Sequence, residues 1–210
     1  MPGTTRHKFT VLDVFSGCGG FSFGFSRAGF EILGGIEIDP VAQRTHSRHF
    51  PPMVEPDAPS DIQQVDTAQV TKPLGSLYPG DDKVRFDVVI GGPPCQPFTR
   101  VGRAKLREVA GNVRAHIEDK RVPLFAHCLR FVADLKLLAF VMENVHHLAS
   151  FAGRNIAEEV AAEGLGYNVR YAILNSASYS VLQMGERFGT DSYSHIHLTP
   201  PTGVAFRCAR

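Results

Sequence analysis

A glycine-rich turn between an apolar run and a helical segment constrains the fold more than any other feature. Residues 9–15 (FTVLDVF) are apolar and rich in β-branched side chains, which predicts a buried strand. The turn at residues 16–20 (SGCGG) follows directly, and a helical pattern over residues 21–28 ends at Gly29. Residues 30–37 predict a second strand, so this region is a strand–helix–strand unit typical of α/β domains.

The same alternation continues along the chain. Residues 51–83 contain many Pro, Asp, Gly and Ser residues, which predicts irregular structure around a short strand near Met53 and Val54. Residues 91–120 predict a long loop or a loop plus a short helix. The other predicted elements are a helix over 40–49 that begins at a proline, a strand over 86–90, a helix over 121–137, a strand over 138–142, a helix over 155–164 and a strand over 167–174. We therefore predict an α/β fold with a mostly parallel sheet and helices on both faces.

Length and composition exclude several classes of protein. The 210 residues fit one compact domain, and 43% hydrophobic with 20% charged residues argues against a disordered or fibrous chain. No apolar run approaches the ~20 residues of a membrane span. The four cysteines form no CxxC pair and the nine histidines no HExxH motif, which predicts a reduced, cytoplasmic protein without a metal site. Because the net charge is only +1, any nucleic-acid contact must be local.

The first strand–helix–strand unit carries signs of a nucleoside-binding site. Glycines let the backbone pass close beneath a ligand, and the N-terminus of the following helix supplies free N–H donors. Many α/β proteins have such a turn for structural reasons alone, and this spacing matches neither GxGxxG nor a P-loop. Glu37 ends the second strand about 20 residues further on, where an acidic residue can bind ribose hydroxyls. The two features together favour a nucleoside cofactor.

A cysteine after the strand over 86–90 is the candidate nucleophile. Residues 91–100 (GGPPCQPFTR) lie at the carboxyl end of this strand, where open α/β sheets bind ligands. Pro93 and Pro94 fix the backbone before Cys95, which favours a positioned thiol. For the other three cysteines we expect the usual role of a small buried hydrophobe.

Two further features matter only beside Cys95. Glu143 and Asn144 follow the strand over 138–142, so Glu143 is a candidate general acid, with a helix cap or a surface charge as the alternative. Residues 100–121 carry seven basic and three acidic side chains, a local charge of +4. This segment can contact a phosphate backbone, although a solvated basic loop is the more common reading.

Together these motifs resemble the C5-cytosine methyltransferases. Residues 13–20 with 28–30 are similar to the family's cofactor loop, and residues 37–39 (EID) to its second cofactor motif. Asp61 and Ile62 resemble the pair that contacts adenine. Residues 93–98 (PPCQPF) resemble the nucleophile motif and residues 143–145 (ENV) the Glu-Asn-Val motif, all in the family's order. The resemblance covers residues 9–187.

This resemblance implies a Rossmann-like S-adenosylmethionine-dependent methyltransferase fold and a bacterial DNA (cytosine-5-)-methyltransferase of restriction–modification. The Cys95 thiolate would add to C6 of a flipped cytosine, Glu143 would donate to N3, and C5 would take the methyl group. The implied catalytic residues are Cys95, Glu143 and Arg187. The implied cofactor-binding residues are Asp13, Phe15, Gly17, Gly19, Gly20, Glu37, Ile38, Asp61, Ile62 and Pro94. The basic segment resembles the family's closing catalytic loop, and DNA is the implied partner.

An RNA substrate is the first alternative. Residues 96–100 (QPFTR) also resemble the tRNA-methylating branch of the family. Residues 15–21 (FSGCGGF) resemble the bacterial DNA enzymes more closely, which favours DNA.

The C-terminal part departs from the family pattern. The family's Gln-x-Arg-x-Arg motif corresponds to residues 183–187 (QMGER), where Gly185 replaces the first arginine, and residues 180–183 (SVLQ) replace Gly-Val-Pro-Gln. Residues 189–210 lack periodicity and contain two adjacent prolines, which predicts an irregular tail. We therefore predict a catalytic domain over residues 1–188, a sheet incomplete at its C-terminal end and no target-recognition domain. Three interpretations stay open: a degenerate fragment, a non-catalytic cofactor-binding remnant, or half of a split enzyme whose second polypeptide supplies recognition.

Overall fold

A computed structural model describes residues 8–53, 59–77, 85–94, 124–145, 167–175 and 186–194. The strands within these ranges are β1 (Thr10–Val14), β2 (Glu31–Ile36), β3 (Val88–Gly91), β4 (Ala139–Val145), β5 (Tyr167–Asn175) and β6 (Glu186–Ser194). The helices within them are α1 (Gly20–Arg27), α2 (Pro40–Ser47), α3 (Thr67–Leu77) and α4 (Leu124–Leu135).

The described strands form one sheet in the order β2-β1-β3-β4-β6-β5. The pairs β1–β2, β1–β3 and β3–β4 are parallel, whereas β6 runs antiparallel to both β4 and β5. The predicted α/β fold with a mostly parallel sheet is confirmed. Because β1, β3 and β4 run in the same direction, the loops that follow them open at the same edge of the sheet.

Helices cover both faces of the sheet, as predicted. Leu12 and Val14 of β1 pack on one face with α3 and α4, whereas Val11 packs on the other face with the phenylalanines of α1. All five residues of β1 are buried, which explains why apolar side chains occur on both faces of this strand rather than alternating with exposed polar ones.

Helix α3 contradicts the prediction that residues 51–83 are irregular. Its N-terminus is capped by Asp66, whose Oδ1 accepts a hydrogen bond of 2.8 Å from the N–H of Ala68. Val70 and Leu74 lie four residues apart and are buried in the core. Pro73 lies inside the helix, so composition concealed the helical spacing of these apolar residues. Where the short strand was expected, the described residues show an isolated bridge between Pro52 and Gly35, and Val54 lies outside them.

Strand β4 extends beyond its predicted end, and strand β6 was not predicted. β4 continues to Val145, so Glu143 and Asn144 lie within the strand rather than after it. β6 covers Glu186–Ser194 and crosses the boundary predicted after residue 188, so residues 189–194 are not irregular. β6 lies between β4 and β5 and pairs with both, and such tertiary pairing favours a strand where the local sequence does not.

Several predicted segments lie outside the described residues. They are Cys95, the basic segment 100–121, the helix predicted over 155–164, Gly185 with residues 181–184, and residues 195–210. None of the described helices has the length and apolar character that a membrane crossing requires.

Candidate active site

The glycine-rich turn after β1 adopts the left-handed backbone that its sequence predicts. Gly17 and Gly19 have φ angles of 53° and 96°, and Gly19 is the N-cap of α1. Phe15 also has a positive φ of 67°, a conformation that costs a non-glycine residue about 1–2 kcal/mol. The Ile36 carbonyl holds this strained corner, since it accepts hydrogen bonds from the N–H groups of Phe15 and Ser16 at 3.0 and 3.1 Å. The turn is therefore anchored to the end of β2.

Glu37 joins the three segments predicted to bind a cofactor. Its Oε2 accepts a hydrogen bond of 2.8 Å from the N–H of Gly17, and its Oε1 accepts one of 2.8 Å from the N–H of Asp39. Its backbone carbonyl accepts a hydrogen bond of 2.7 Å from the N–H of Ser60, next to Asp61. Each carboxylate oxygen has two lone pairs, so both retain capacity to accept from a ligand hydroxyl. The sequence predicted a ligand contact for Glu37 but not this connecting role.

Asp13 fixes the start of α1 rather than facing solvent. It is 1% exposed, and its Oδ2 accepts hydrogen bonds from the N–H and the hydroxyl of Ser22 at 3.2 and 2.7 Å. Burial raises the pKa of Asp13 to about 7; the hydrogen bonds from Ser22 oppose the rise, and the negative charge of Glu37 adds to it. The glycine-rich turn and α1 are thus tied to a carboxyl group of β1.

His46 completes this buried group and was missed by the sequence analysis. Its Nε2 lies 3.1 Å from the Ser22 hydroxyl, and the residue is 2% exposed. The ring lies between two glycines, because a Cβ on Gly19 would be 3.2 Å from its Cδ2 and one on Gly35 2.6 Å from its Cε1. Burial lowers the pKa of His46 to about 4, with a contribution from the nearby His49. No local sequence pattern reveals that His46 is buried, because the glycines beside its ring, Gly19 and Gly35, lie in other parts of the sequence.

The two predicted cofactor-binding residues of the Asp61 turn, Asp61 and Ile62, differ in exposure. Asp61 is partly exposed, and its Oδ1 accepts a hydrogen bond of 2.9 Å from the N–H of Gln63. Ile62 packs in the core. Ile38, in contrast, is 60% exposed directly after Glu37, although it is a large hydrophobic residue. An exposed apolar side chain beside a carboxylate suits the flat face of a purine.

The described residues of the two predicted catalytic motifs meet where β3 ends beside β4. The Asn144 side-chain amide donates a hydrogen bond of 2.9 Å to the Pro93 carbonyl. A Cβ built on Gly92 would lie 3.5 Å from Oε2 of Glu143. The Glu143 carboxylate therefore lies beside the backbone that leads through Pro94 into Cys95. Cys95 itself is outside the described residues, so its position stays a prediction.

The register of β6 places Arg187 near the same motif. Arg187 pairs with Val145 across the antiparallel ladder, two residues along β4 from Glu143. Its assignment as a catalytic residue stays a prediction.

The described cysteines differ in their surroundings. Cys128 on α4 is fully buried, as expected, and burial raises the pKa of its thiol to about 12. Cys18 is exposed, so the expectation that it is a buried hydrophobe is wrong. The unreactive Cys128 lies directly behind β3, since a Cβ on Gly91 would be 3.1 Å from its Sγ.

Residues 9–193 match the family described as C-5 cytosine-specific DNA methylase. The chain belongs to this family. Among curated relatives, it is 36% identical over 182 residues to the type II methyltransferase M1.HphI of Haemophilus parahaemolyticus, which covers 86% of this chain and 44% of that protein. It is 31% identical over 189 residues to the type II methyltransferase M.AquIA of Picosynechococcus, covering 84% of this chain and 68% of the relative.

Solved structures agree on the fold. The DNMT2 structure of Spodoptera frugiperda superimposes with a TM-score of 0.61 at 20% identity, covering 95% of this chain and 54% of that one. This methylase chain thus has the Rossmann-like fold predicted for it, and it spans less than half the length of M1.HphI. The curated relatives are type II methyltransferases, so the tRNA alternative gains no support from them.

Proposed function

We propose that the chain is the catalytic and cofactor-binding part of a DNA (cytosine-5-)-methyltransferase (EC 2.1.1.37) of a restriction–modification system. The observation that supports it most is the junction of the two catalytic motifs. The Asn144 amide bonds to Pro93, and the Glu143 carboxylate lies beside Gly92, three residues before Cys95. Two separate motifs of the cytosine chemistry are thereby brought to the edge of the sheet that also carries Glu37.

S-adenosylmethionine is the cofactor that the described residues fit. The Glu37 oxygens retain acceptor capacity for the two ribose hydroxyls, and exposed Ile38 offers an apolar surface to adenine. The Asp61 carboxylate would accept a hydrogen bond from the adenine amino group. Ile62 would contribute to the same site through its backbone. The turn built by Asp13, Phe15, Gly17, Gly19 and Gly20 would surround the methionine part, and Pro94 would border it. A bound cofactor supplies an electrophilic methyl group.

The protein residues make cytosine C5 reactive. The Cys95 thiolate forms a bond to C6 of the flipped base, and the displaced electron pair moves towards N3, where the Glu143 carboxyl group donates its proton. After methylation, C5 loses its proton to water, N3 returns its proton to the Glu143 carboxylate and Cys95 leaves C6 as the thiolate, which restores the aromatic ring. Arg187, next to this motif in the ladder, would hold the target base or its phosphate.

DNA is the proposed substrate, and sequence recognition is proposed to come from elsewhere. Base sequence is read by side chains at base edges, whereas the basic segment 100–121 suits phosphate contacts. The matched region is 68% of the length of M.AquIA but only 44% of the length of M1.HphI. M.AquIA is therefore the shorter of these two relatives. We propose that a second polypeptide supplies recognition to the catalytic domain over residues 1–188, and that the complex works in the cytoplasm at the nucleoid.

Cofactor binding tests the proposal directly. Titration calorimetry with S-adenosylhomocysteine is expected to show binding by the chain and at least a tenfold loss in Glu37→Ala, because a ribose contact and the anchor of Gly17 are both removed. Glu31→Ala is the matched control, since Glu31 begins the same strand that ends before Glu37. Equal affinities in both variants would remove Glu37 from the site, and no binding by the unaltered chain would overturn the proposed function.

A further inference from the structure

An arginine of α4 reaches into the turn that carries the adenine-contacting pair. The Arg130 Nη2 donates hydrogen bonds to the carbonyls of Ile62 and Val65 at 2.7 and 2.9 Å. Its guanidinium carbon lies 4.8 Å from the ring centroid of Phe131, which restrains the side chain further. One cationic group therefore closes the turn that begins at Asp61.

The same helix is packed tightly against the strand before the predicted nucleophile. Cys128, Phe131 and Val132 of α4 are completely buried. A Cβ on Gly91, the last residue of β3, would be 3.1 Å from the Cys128 Sγ, so helix and strand touch without space between them. Helix α4 thus connects the Asp61 turn to β3.

The negative charge of Asp61 also acts on a histidine of α4. His127 lies one turn before Arg130, and its pKa is lowered by partial burial and by the Arg130 charge, while the negative charge of Asp61 opposes the shift. The two hydrogen bonds from Arg130 link α4 to the turn that begins at Asp61. Movement of Arg130 would consequently move the turn that presents Asp61.

We infer that Arg130 is a positioning residue that fixes the Asp61 turn and thereby sets selectivity for the adenine amino group. The inference rests on the proposed function. Arg130 acts through the carbonyls of Ile62 and Val65, which would lose a charged donor without it. A loosened turn would still leave the ribose contact at Glu37, so the effect is confined to the base end of the cofactor.

Two ligands that differ only at the base separate positioning from general damage. Calorimetry would compare S-adenosylhomocysteine with S-inosylhomocysteine, in which a carbonyl replaces the adenine amino group. In Arg130→Met we expect the affinity for the adenosyl ligand to fall by about tenfold, while the affinity for the inosyl ligand changes little. Arg130→Lys, which retains the charge but loses the planar fork, should lie between. Arg27→Met is the matched control, because Arg27 also stacks on a phenylalanine, at 5.8 Å, but at the far end of α1.

The outcomes are distinguishable. The inference is supported if the affinity for the adenosyl ligand relative to that for the inosyl ligand falls in Arg130→Met and is unchanged in Arg27→Met. An equal loss for both ligands, or no loss, overturns it, and thermal unfolding of each variant shows whether an equal loss comes from an unstable fold. If the unaltered chain binds neither ligand, the proposed function itself has failed.

Discussion

The buried group of Asp13, Ser22 and His46 should give the fold two opposing dependences on pH. The pKa of Asp13 rises from 3.8 to about 7 on folding, so between these values the folded state holds a proton that the unfolded state has released. The contribution of Asp13 to stability is therefore greatest below pH 3.8 and is lost as the pH rises to about 7. At 1.36 kcal/mol per pKa unit, this loss is about 4 kcal/mol.

His46 acts in the other direction. Its pKa falls from 6.5 to about 4, so between these values the unfolded state holds the proton. Its contribution is present above pH 6.5 and is lost as the pH falls to about 4. The full pKa shift of His46 corresponds to about 3 kcal/mol. Screening by solvent reduces the expected contribution to stability to about 2 kcal/mol. In the unaltered chain the two contributions partly cancel, which leaves a net loss of about 2 kcal/mol as the pH rises from about 4 to about 7.

Single substitutions should expose each contribution. The free energy of unfolding would be measured by urea denaturation with far-ultraviolet circular dichroism, because the chain has no tryptophan. Relative to the unaltered chain, Asp13→Asn should gain about 4 kcal/mol as the pH rises from 3.8 to 7, and His46→Gln should lose about 2 kcal/mol between pH 4 and 6.5. The reasoning would be refuted if the free energy of unfolding of both variants changed with pH in the same way as that of the unaltered chain.

Three further predictions concern packing and recognition. Gly91→Ala should destabilise the chain by about 1–3 kcal/mol, because its Cβ would be 2.9 Å from Val14 Cγ2. Gly24→Ala is the control and should be neutral or stabilising, because a Cβ there would have no atom within 4 Å. Chemical denaturation measures the free energy of unfolding of both variants. Asn144→Ala should cost about 1–3 kcal/mol in the same measurement, because the buried Pro93 carbonyl loses its donor; an unchanged midpoint would contradict the bond. The chain alone should not methylate one defined DNA site when incubated with tritiated S-adenosylmethionine and mixed-sequence DNA, and robust transfer to a single site would show that recognition is already present.

The central elements were predictable from sequence because local and tertiary preferences agree there. β1 is buried along its whole length, and the turn after it has glycines at two of its positions with positive φ, Gly17 and Gly19. Helix α2 begins as expected at Pro40, with the Asp39 side chain capping it through hydrogen bonds of 2.8 Å.

The missed features depend on contacts between distant residues. β6 exists because β4 and β5 pair with it on both sides, and its own sequence shows no strand period. His46 became part of the site because Gly19 and Gly35 leave room for its ring. Arg130 lies 68 residues from the Ile62 carbonyl that it binds, a separation that no local pattern reveals.

Covalent trapping tests the central claim most directly. DNA in which 5-fluorocytosine stands opposite a mismatched base lowers the cost of extrusion, and fluorine at C5 blocks the elimination that would release the enzyme. With S-adenosylmethionine present, we expect a protein–DNA adduct that survives denaturing electrophoresis, is absent in Cys95→Ala and is strongly reduced in Glu143→Gln. Cys128→Ser is the control, because that thiol is buried and its pKa is raised to about 12. An adduct of equal yield in Cys95→Ala, or none from a chain that binds S-adenosylhomocysteine, would contradict the account.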